Sequence, residues 1–523
     1  MMTRFLSAAI AVTLSHSGAL ALEPASHFSD HLVLQRGMDV PVWGTAAPNS
    51  EVTVAFADQT VTAKADADGN WRATLKPMKA SAQSRVMTIS GGGKEVKIND
   101  ALVGDVWVGS GQSNMAGRVA SYAKNDPTLA ALVDKAPYPS IRLMNGGPKP
   151  IWETATAESV PRFSAILFAF GERLHRDLDV PIGLIVGAVG GTPSGYWMPP
   201  EIFESSAKCK ADITAFAKTW DRKKAQQQVE AKIAAWEKAA EKAKADGKKP
   251  RGRKPAATII EPGQSTRGGK IGGLFDRFIR SSVGYAIRGV LWDQGESGTG
   301  VLGLDQHTSM SELIRGWREL WDQDEFPFLF VQKPSGLGNA FSNDDPITRE
   351  ADAFSNRPAS PPATPGGEGR FLYTRLMLDN PNAWMVPAID LGATVHPKNK
   401  WGYGNRAAEI AMQKVYEKDG VQAYGPIYQS HSIDGNKVTV KFTEVGDGLV
   451  VKHSEQLQGF ALAGQDGAWH WADAKISGKD TVELSSEAVS TPKHACFAWA
   501  KNRTWANLFN KNGLPALAFT TEK

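Results

Sequence analysis

The sequence predicts an α/β protein, a mostly parallel sheet with helices on both faces, carried between two all-β segments. Three observations predict it. Short apolar strands alternate with helically spaced segments through the middle of the chain. Polar, glycine-rich clusters follow the carboxyl ends of those strands, where ligands bind on sheets of this kind. At either end the pattern changes to period-two alternation broken by turn residues. A length of 523 residues exceeds one compact domain. With 42% hydrophobic and 22% charged residues, the composition excludes a disordered chain and a multi-span membrane protein.

The elements follow in order. Arg4, the apolar run Phe5 to Leu14 and the small-residue site Ala19-Leu20-Ala21 read as an export signal over residues 1–21, so a periplasmic or extracellular location is expected. That run is too short to span a bilayer and no later run approaches spanning length. Residues 22–103 form an N-terminal β module: Val33-Leu34, Val40 to Trp43, Val52 to Phe56 and Val61 alternate with polar positions, and Asp66 to Asn70 is a turn signal. Residues 104–425 carry the α/β pattern. Its strands are Val106-Trp107-Val108, Val180 to Val186, Gly289 to Trp292, Pro327 to Val331 and Met385 to Ile389, and its helical segments are Ala165 to Leu174, Phe275 to Ile287 and Leu313 to Trp321. Residues 426–523 return to β texture.

Residues 205–262 interrupt the α/β pattern with a basic helical insertion, rich in strong helix formers and bearing only a thin apolar stripe. From Lys208 to Lys254 there are 15 Lys and Arg against 6 Asp and Glu. This stretch alone carries +9 of a chain total of +4, leaving −5 for the rest. Basic charge confined to one insertion is not the footprint of nucleic-acid binding. Cys209 and Cys496 lie far apart in the chain, and with no CxxC or Cys/His cluster a metal site is unsupported. The 16 tryptophans stand out: their flat faces serve large cores and also stack on sugar rings.

Ser113 is the best candidate nucleophile, because the turn Gly109-Ser110-Gly111-Gln112-Ser113-Asn114-Met115 directly after a strand projects a side chain into open space. A serine needs a base within reach, and His396, after the strand Met385 to Ile389, is the best one. Gly190, Gly191 and Gln294 fall at other strand ends and carry the N–H donors an oxyanion requires.

Together these segments resemble the sialate O-acetylesterase-like branch of the SGNH/GDSL hydrolases. The resemblance rests on Gly111 to Met115, on Pro181 to Ile185 with Gly190-Gly191-Thr192, on Trp292 to Ser297, and on His396 to Lys400 with Arg406. Asp30 to Arg36 and the tail from Asn507 to Pro515 extend it over nearly the whole chain outside the insertion. It implies an SGNH-type three-layer, flavodoxin-like parallel sheet flanked by sandwich-like β segments. It also implies an esterase that removes O-acetyl groups from a carbohydrate, sialic acid or an acetylated plant or marine glycan, without cofactor or metal. Carried over, Ser113 is the nucleophile and His396 the general base. The Ser113 N–H, an N–H of Gly190 or Gly191 and the Gln294 amide form the oxyanion hole, and Glu296 braces the Gln294 loop. Two departures stand out. Asp293 replaces a common aromatic residue, and the acid usual two or three positions before the histidine is absent, since Ala393 and Thr394 stand there. Asp390, a carboxylate of another loop, or a backbone carbonyl are the candidates to orient His396. The missing acid also raises an alternative reading, a catalytically weakened carbohydrate-binding protein on the same scaffold.

Overall fold

A computed structural model describes residues 21–362 and 367–522. The export signal read over residues 1–21 lies outside them except for Ala21.

One strand organises the molecule. β1 runs for 18 residues, Lys94–Gly111, half polar and exposed and then apolar and buried without a break. Its first half pairs antiparallel with Ser81–Gly91, and its middle pairs parallel with Val33–Gln35, so it belongs to the N-terminal β module. Its second half is the centre of the α/β sheet. The change of texture at position 103 therefore falls inside a continuous strand. Asp105 pins the junction: it is buried, and it pairs with Arg36 at 2.8 Å and Arg288 at 3.2 Å. Burial pushes its carboxyl up, but the hydrogen bonds and charges of Arg36, Arg288 and Gln35 outweigh it and hold the carboxyl below its usual value.

The other strands of this sheet are β2 (Tyr138–Asn145), β3 (Trp152–Ala155), β4 (Ile182–Ala188), β5 (Gly289–Asp293), β6 (Phe328–Val331) and β7 (Ala383–Val386), in the order β3-β2-β4-β1-β5-β6-β7. All neighbours are parallel except the edge pair β3–β2. The result is an α/β fold on a mixed sheet. Such strands must be apolar on both faces, and β5 and β6 are buried at every residue. Alternation sends neighbours to opposite helices. At Gly109 an added Cβ would meet Leu167 of α2 (Ala165–Leu178) at 2.6 Å. Trp292 instead packs edge-on against Trp317 of α3 (Gln306–Trp321), 6.1 Å between ring centres. On the α2 side, α5 (Lys400–Lys414) approaches so closely that a Cβ at Gly404 would lie 2.6 Å from the Ile166 carbonyl oxygen. On the α3 side lies α4 (Glu368–Asp379).

Two expectations change. The segment Phe275 to Ile287 is helical only over Gly273–Phe278 and one 3-10 turn, because Gly284 takes a left-handed φ of +86° and turns the chain into β5. The insertion is not separate along its whole length. Its helix Ala207–Ala217 buries Cys209 with Met198, Ile202, Val301 and Leu304, whereas the following helix Arg222–Ala245 buries no residue. Both cysteines are free and buried. The C-terminal segment has its own core under two four-stranded sheets.

Candidate active site

Three strand ends converge on Ser113. β1 ends at Gly111, whose φ of +130° and close approach to β5 (an added Cβ would sit 2.2 Å from the Asp293 carbonyl oxygen) require glycine. The chain turns at Gln112, whose N–H donates to that carbonyl at 2.9 Å, and enters α1 (Ser113–Ala116). Ser113 is thus the first residue of a short helix, where backbone N–H groups have no partner within the helix. β4 ends beside it: a Cβ built on Gly190 would touch the Ser113 Cβ at 3.4 Å, and Gly191 follows in a left-handed conformation. β7 leads into the loop bearing His396, whose Nε2 lies 2.8 Å from Ser113 Oγ. His396 is exposed and Ser113 half-buried. The structure therefore brings together Ser113, His396 and Gly190, residues 77 to 283 positions apart in sequence, as a nucleophile–base pair beside free N–H groups.

Two expected roles change. Asp390 is fully buried and faces Arg406, accepting from both terminal nitrogens at 3.2 and 3.0 Å. Its carboxylate is consumed by a buried guanidinium, whereas His396 is exposed. Gln294 is also fully buried, and its amide N–H groups donate to the carbonyls of Gly298 at 3.0 Å and Thr192 at 3.4 Å. Spent on those carbonyls, the amide ties the β4 and β5 loops together and is not free for an oxyanion.

Glu296 braces the nucleophile's own turn. One carboxylate oxygen accepts from the Gln112 side chain, and the other lies 2.9 Å from Lys333 Nζ. Ser297 Oγ completes the bracket by donating to Gln112 Oε1 at 2.9 Å. Lys333 is buried and also lies 2.7 Å from Asp293. Burial alone would discharge it, but Asp293 and Glu296 outweigh the desolvation and raise its pKa, so it is an ammonium. Asp293, singled out above as a departure, thus serves as its buried counter-charge.

A second bracket, absent from the sequence reading, joins nucleophile to base. Asn114 Nδ2 donates to the carbonyl of Val395 at 3.1 Å, and its Oδ1 accepts from Lys400 Nζ at 2.5 Å. These two bonds link the neighbour of Ser113 to the neighbour of His396. Lys400 is fully buried under the rings of Tyr122 and Tyr403, at 4.6 and 5.7 Å. Burial, only partly offset by Asp293, lowers its pKa from 10.5 to about 7. Both residues stand in the segments that carry the resemblance, but a lysine opening a helix reads as a surface residue, and nothing local signals its burial.

The chain is similar to known proteins. A family model described as carbohydrate esterase, sialic acid-specific acetylesterase, matches residues 103–242. The chain is 26% identical to the sialate O-acetylesterase of Homo sapiens over 560 aligned positions, 97% of this chain and 94% of that protein. The corresponding figure for Pongo abelii is 23% over the same coverage. The crystal structure of a carbohydrate acetylesterase from Xanthomonas citri superposes with a TM-score of 0.70 at 25% identity, covering 96% of this chain and 99% of that one. Over nearly its whole length the chain is thus similar to sialate O-acetylesterases and to a carbohydrate acetylesterase. The family model spans α1, the β4 end and the first part of the insertion, so it includes Ser113 and Gly190 but not His396. Among the described residues no helix is long and apolar enough to cross a membrane, and no cluster of His, Cys, Asp and Glu is arranged to hold a metal ion.

Proposed function

We propose that this carbohydrate O-acetylesterase works as a serine enzyme through an acetyl-enzyme on Ser113. The observation that carries the mechanism is the 2.8 Å contact between Ser113 Oγ and His396 Nε2. Ser113 Oγ attacks the acetyl carbonyl carbon while its proton passes to Nε2. The carbonyl oxygen becomes an oxyanion facing the backbone N–H groups of Ser113 and Gly190, which need no reorganisation to meet it. His396 then returns the proton to the sugar oxygen as the C–O bond breaks. A water, deprotonated by the same nitrogen, releases acetate from Ser113. The same contact weighs against a binding protein that has lost turnover. The five strands β4-β1-β5-β6-β7 run in the order 2-1-3-4-5 of a flavodoxin-like sheet, which supports the SGNH reading of the fold.

The substrate cleft is the cavity of about 540 Å³ beside α1, which Met115 and Ala116 line together with the ends of β2 and β4. Arg118, Lys149 and Arg162 stand on its walls; Arg162 pairs with Glu153 at 3.2 Å, and neither Arg118 nor Lys149 has an ion-pair partner among the described residues. Two unneutralised cations favour an acidic sugar, so we place an O-acetylated sialic acid ahead of a neutral acetylated glycan. The export signal read in the sequence over residues 1–21 supports a location outside the cytoplasm, in the periplasm or beyond. Ser113→Ala should abolish acetate release from a panel of O-acetylated sialic acid, xylan and glucomannan at unchanged melting temperature. Near-wild-type release by that variant would overturn the nucleophile assignment, and preference for the neutral glycans would overturn the substrate reading.

A further inference from the structure

Eight of the 16 tryptophans are buried and eight are partly exposed. Three of the exposed ones, Trp469, Trp471 and Trp499, gather with buried Trp505 around one cavity of about 420 Å³ on the C-terminal β segment. This cavity shares no residue with the cleft beside Ser113.

Its shape follows from strand register. β8 (Phe460–Ala463) lies between β9 (Trp469–Trp471) and β10 (His494–Phe497), with β11 (Phe519–Thr520) outside β10. Phe460, Leu462, Ala495, Phe497 and Phe519 belong to the C-terminal core. Period two therefore sends Ala461, Trp469, Trp471 and Cys496 to the opposite face. Ala461 is the rung partner of both Trp471 and Cys496. Two short side chains make a floor and the indoles make walls. Those walls are held in place. Trp471 Nε1 donates to the Pro358 carbonyl at 2.8 Å, its ring meets Trp505 edge-on at 5.1 Å, and the Arg357 guanidinium lies 5.4 Å from its centre. Trp499 is backed edge-on by Phe371 at 5.3 Å. Ser360 and Glu522 line the cavity and offer polar groups beside these apolar faces.

Flat, preorganised aromatic faces around a trough of this size, with hydroxyl and carboxylate acceptors beside them, match a sugar ring: C–H face on indole, hydroxyls to the polar groups. Among the described residues Glu522 is the only ionisable acid or base lining the cavity apart from Cys496, with the Arg357 guanidinium behind Trp471, so the lining adds no net positive charge and favours a neutral sugar over an acidic one. We propose that this cavity is a second, non-catalytic binding site for one or two neutral sugar rings of the glycan on which the esterase works. The inference rests on the carbohydrate substrate proposed above and adds to it an anchoring function separate from the ester-cleaving site.

Affinity electrophoresis of the full chain tests it, on native gels containing desialylated mucin (whose neutral rings carry sialic acid), deacetylated xylan or glucomannan. The Ser113→Ala chain should be retarded by at least one of them. Adding Trp469→Ala should weaken that retention about tenfold, the scale of losing one aromatic anchor. The exposed Ala468→Arg, which crowds the mouth without touching the core, should do the same and guards against misfolding of the tryptophan variant. With Ser113 intact, both variants should hydrolyse 4-nitrophenyl acetate at the parent rate. No retardation on any of the three gels, or equal retardation of parent and both variants, refutes the second site. A chain with Ser113 intact that hydrolyses the small ester without retardation refutes only this site, whereas a chain with Ser113 intact that is retarded but releases no acetate refutes only the catalytic reading.

Discussion

Replacing Lys400 with methionine tests the least expected feature of the site. The ammonium is fully buried, its hydrogen-bond acceptor is the neutral Asn114 amide, and it opens a helix, where positive charge is unfavourable. A fall in pKa from 10.5 to about 7 corresponds to about 5 kcal/mol at 1.36 kcal/mol per unit. The sign follows from proton counting. Between pH 7 and 10.5 the unfolded chain binds the proton and the folded chain does not, so stability rises with pH through that window. Below pH 7 both states are protonated and the full cost is present. Lys400→Met removes the cost but also loses two cation–π contacts and leaves Asn114 Oδ1 without its donor, so stabilities near pH 7 should differ little. The slope is the signature. From pH 7.5 to 9.5 the wild type should gain about 2.5 kcal/mol relative to the variant, read by urea unfolding at each pH. Parallel stability–pH curves would refute the buried, discharged lysine. The same variant should lose kcat toward 4-nitrophenyl acetate at nearly constant KM, because the Asn114 bracket to the His396 loop slackens.

Asp390→Asn should cost about 3 kcal/mol by leaving the Arg406 guanidinium buried beside a neutral amide, with kcat of the folded protein nearly unchanged; a hundredfold loss of kcat at constant melting temperature would restore Asp390 as the orienting acid. Glu296→Gln should lower kcat about tenfold with little change in KM, since the Lys333–Glu296–Gln112 bracket holds the turn of Ser113; an unchanged kcat would reduce that bracket to packing. Replacing residues 221–256 by a short Gly/Ser linker should leave the melting temperature within about 2 °C, whereas a deletion extended to Ser206 should lower it by uncovering the cluster around Cys209. Dialysis against EDTA should leave acetate release unchanged; loss of activity restored by a divalent ion would overturn the metal-free mechanism.

The parts of this structure that the sequence announces are those where one chemical demand dominates. β4, β5 and β6 are read correctly to within about two residues because strands covered on both faces must be uniformly apolar. Ser113 and His396 are legible because a strand-end serine in a glycine turn and a histidine at another strand end answer the same chemical need. β2 and β3 are missed: β2 is half exposed next to the sheet's edge, and β3, the edge strand, is four residues long. The helix expected up to Ile287 fails because apolar spacing outlasted the backbone's ability to follow it past Gly284. Polar residues carry the largest errors. Gln294 and Asp390 each sit where a catalytic donor or acid is plausible, and each is consumed by a partner from another part of the chain: the Thr192 and Gly298 carbonyls in one case, Arg406 in the other. Local sequence states what a side chain offers, not which distant group takes it.

The missing acid next to His396 has a physical resolution in the same terms. In a buried triad the carboxylate does two things, holding the ring in one tautomer and stabilising the imidazolium that forms. His396 is exposed, so water solvates its cation and the electrostatic need is small. What remains is orientation, and the Lys400–Asn114–Val395 bracket addresses it by fixing the backbone carbonyl just before the histidine to the residue just after the serine. A buried cation with a depressed pKa is a costly way to hold an amide, which is the kind of local cost that a functional constraint sustains. The site thus exchanges a carboxylate acting on the ring for a lysine acting on the loop.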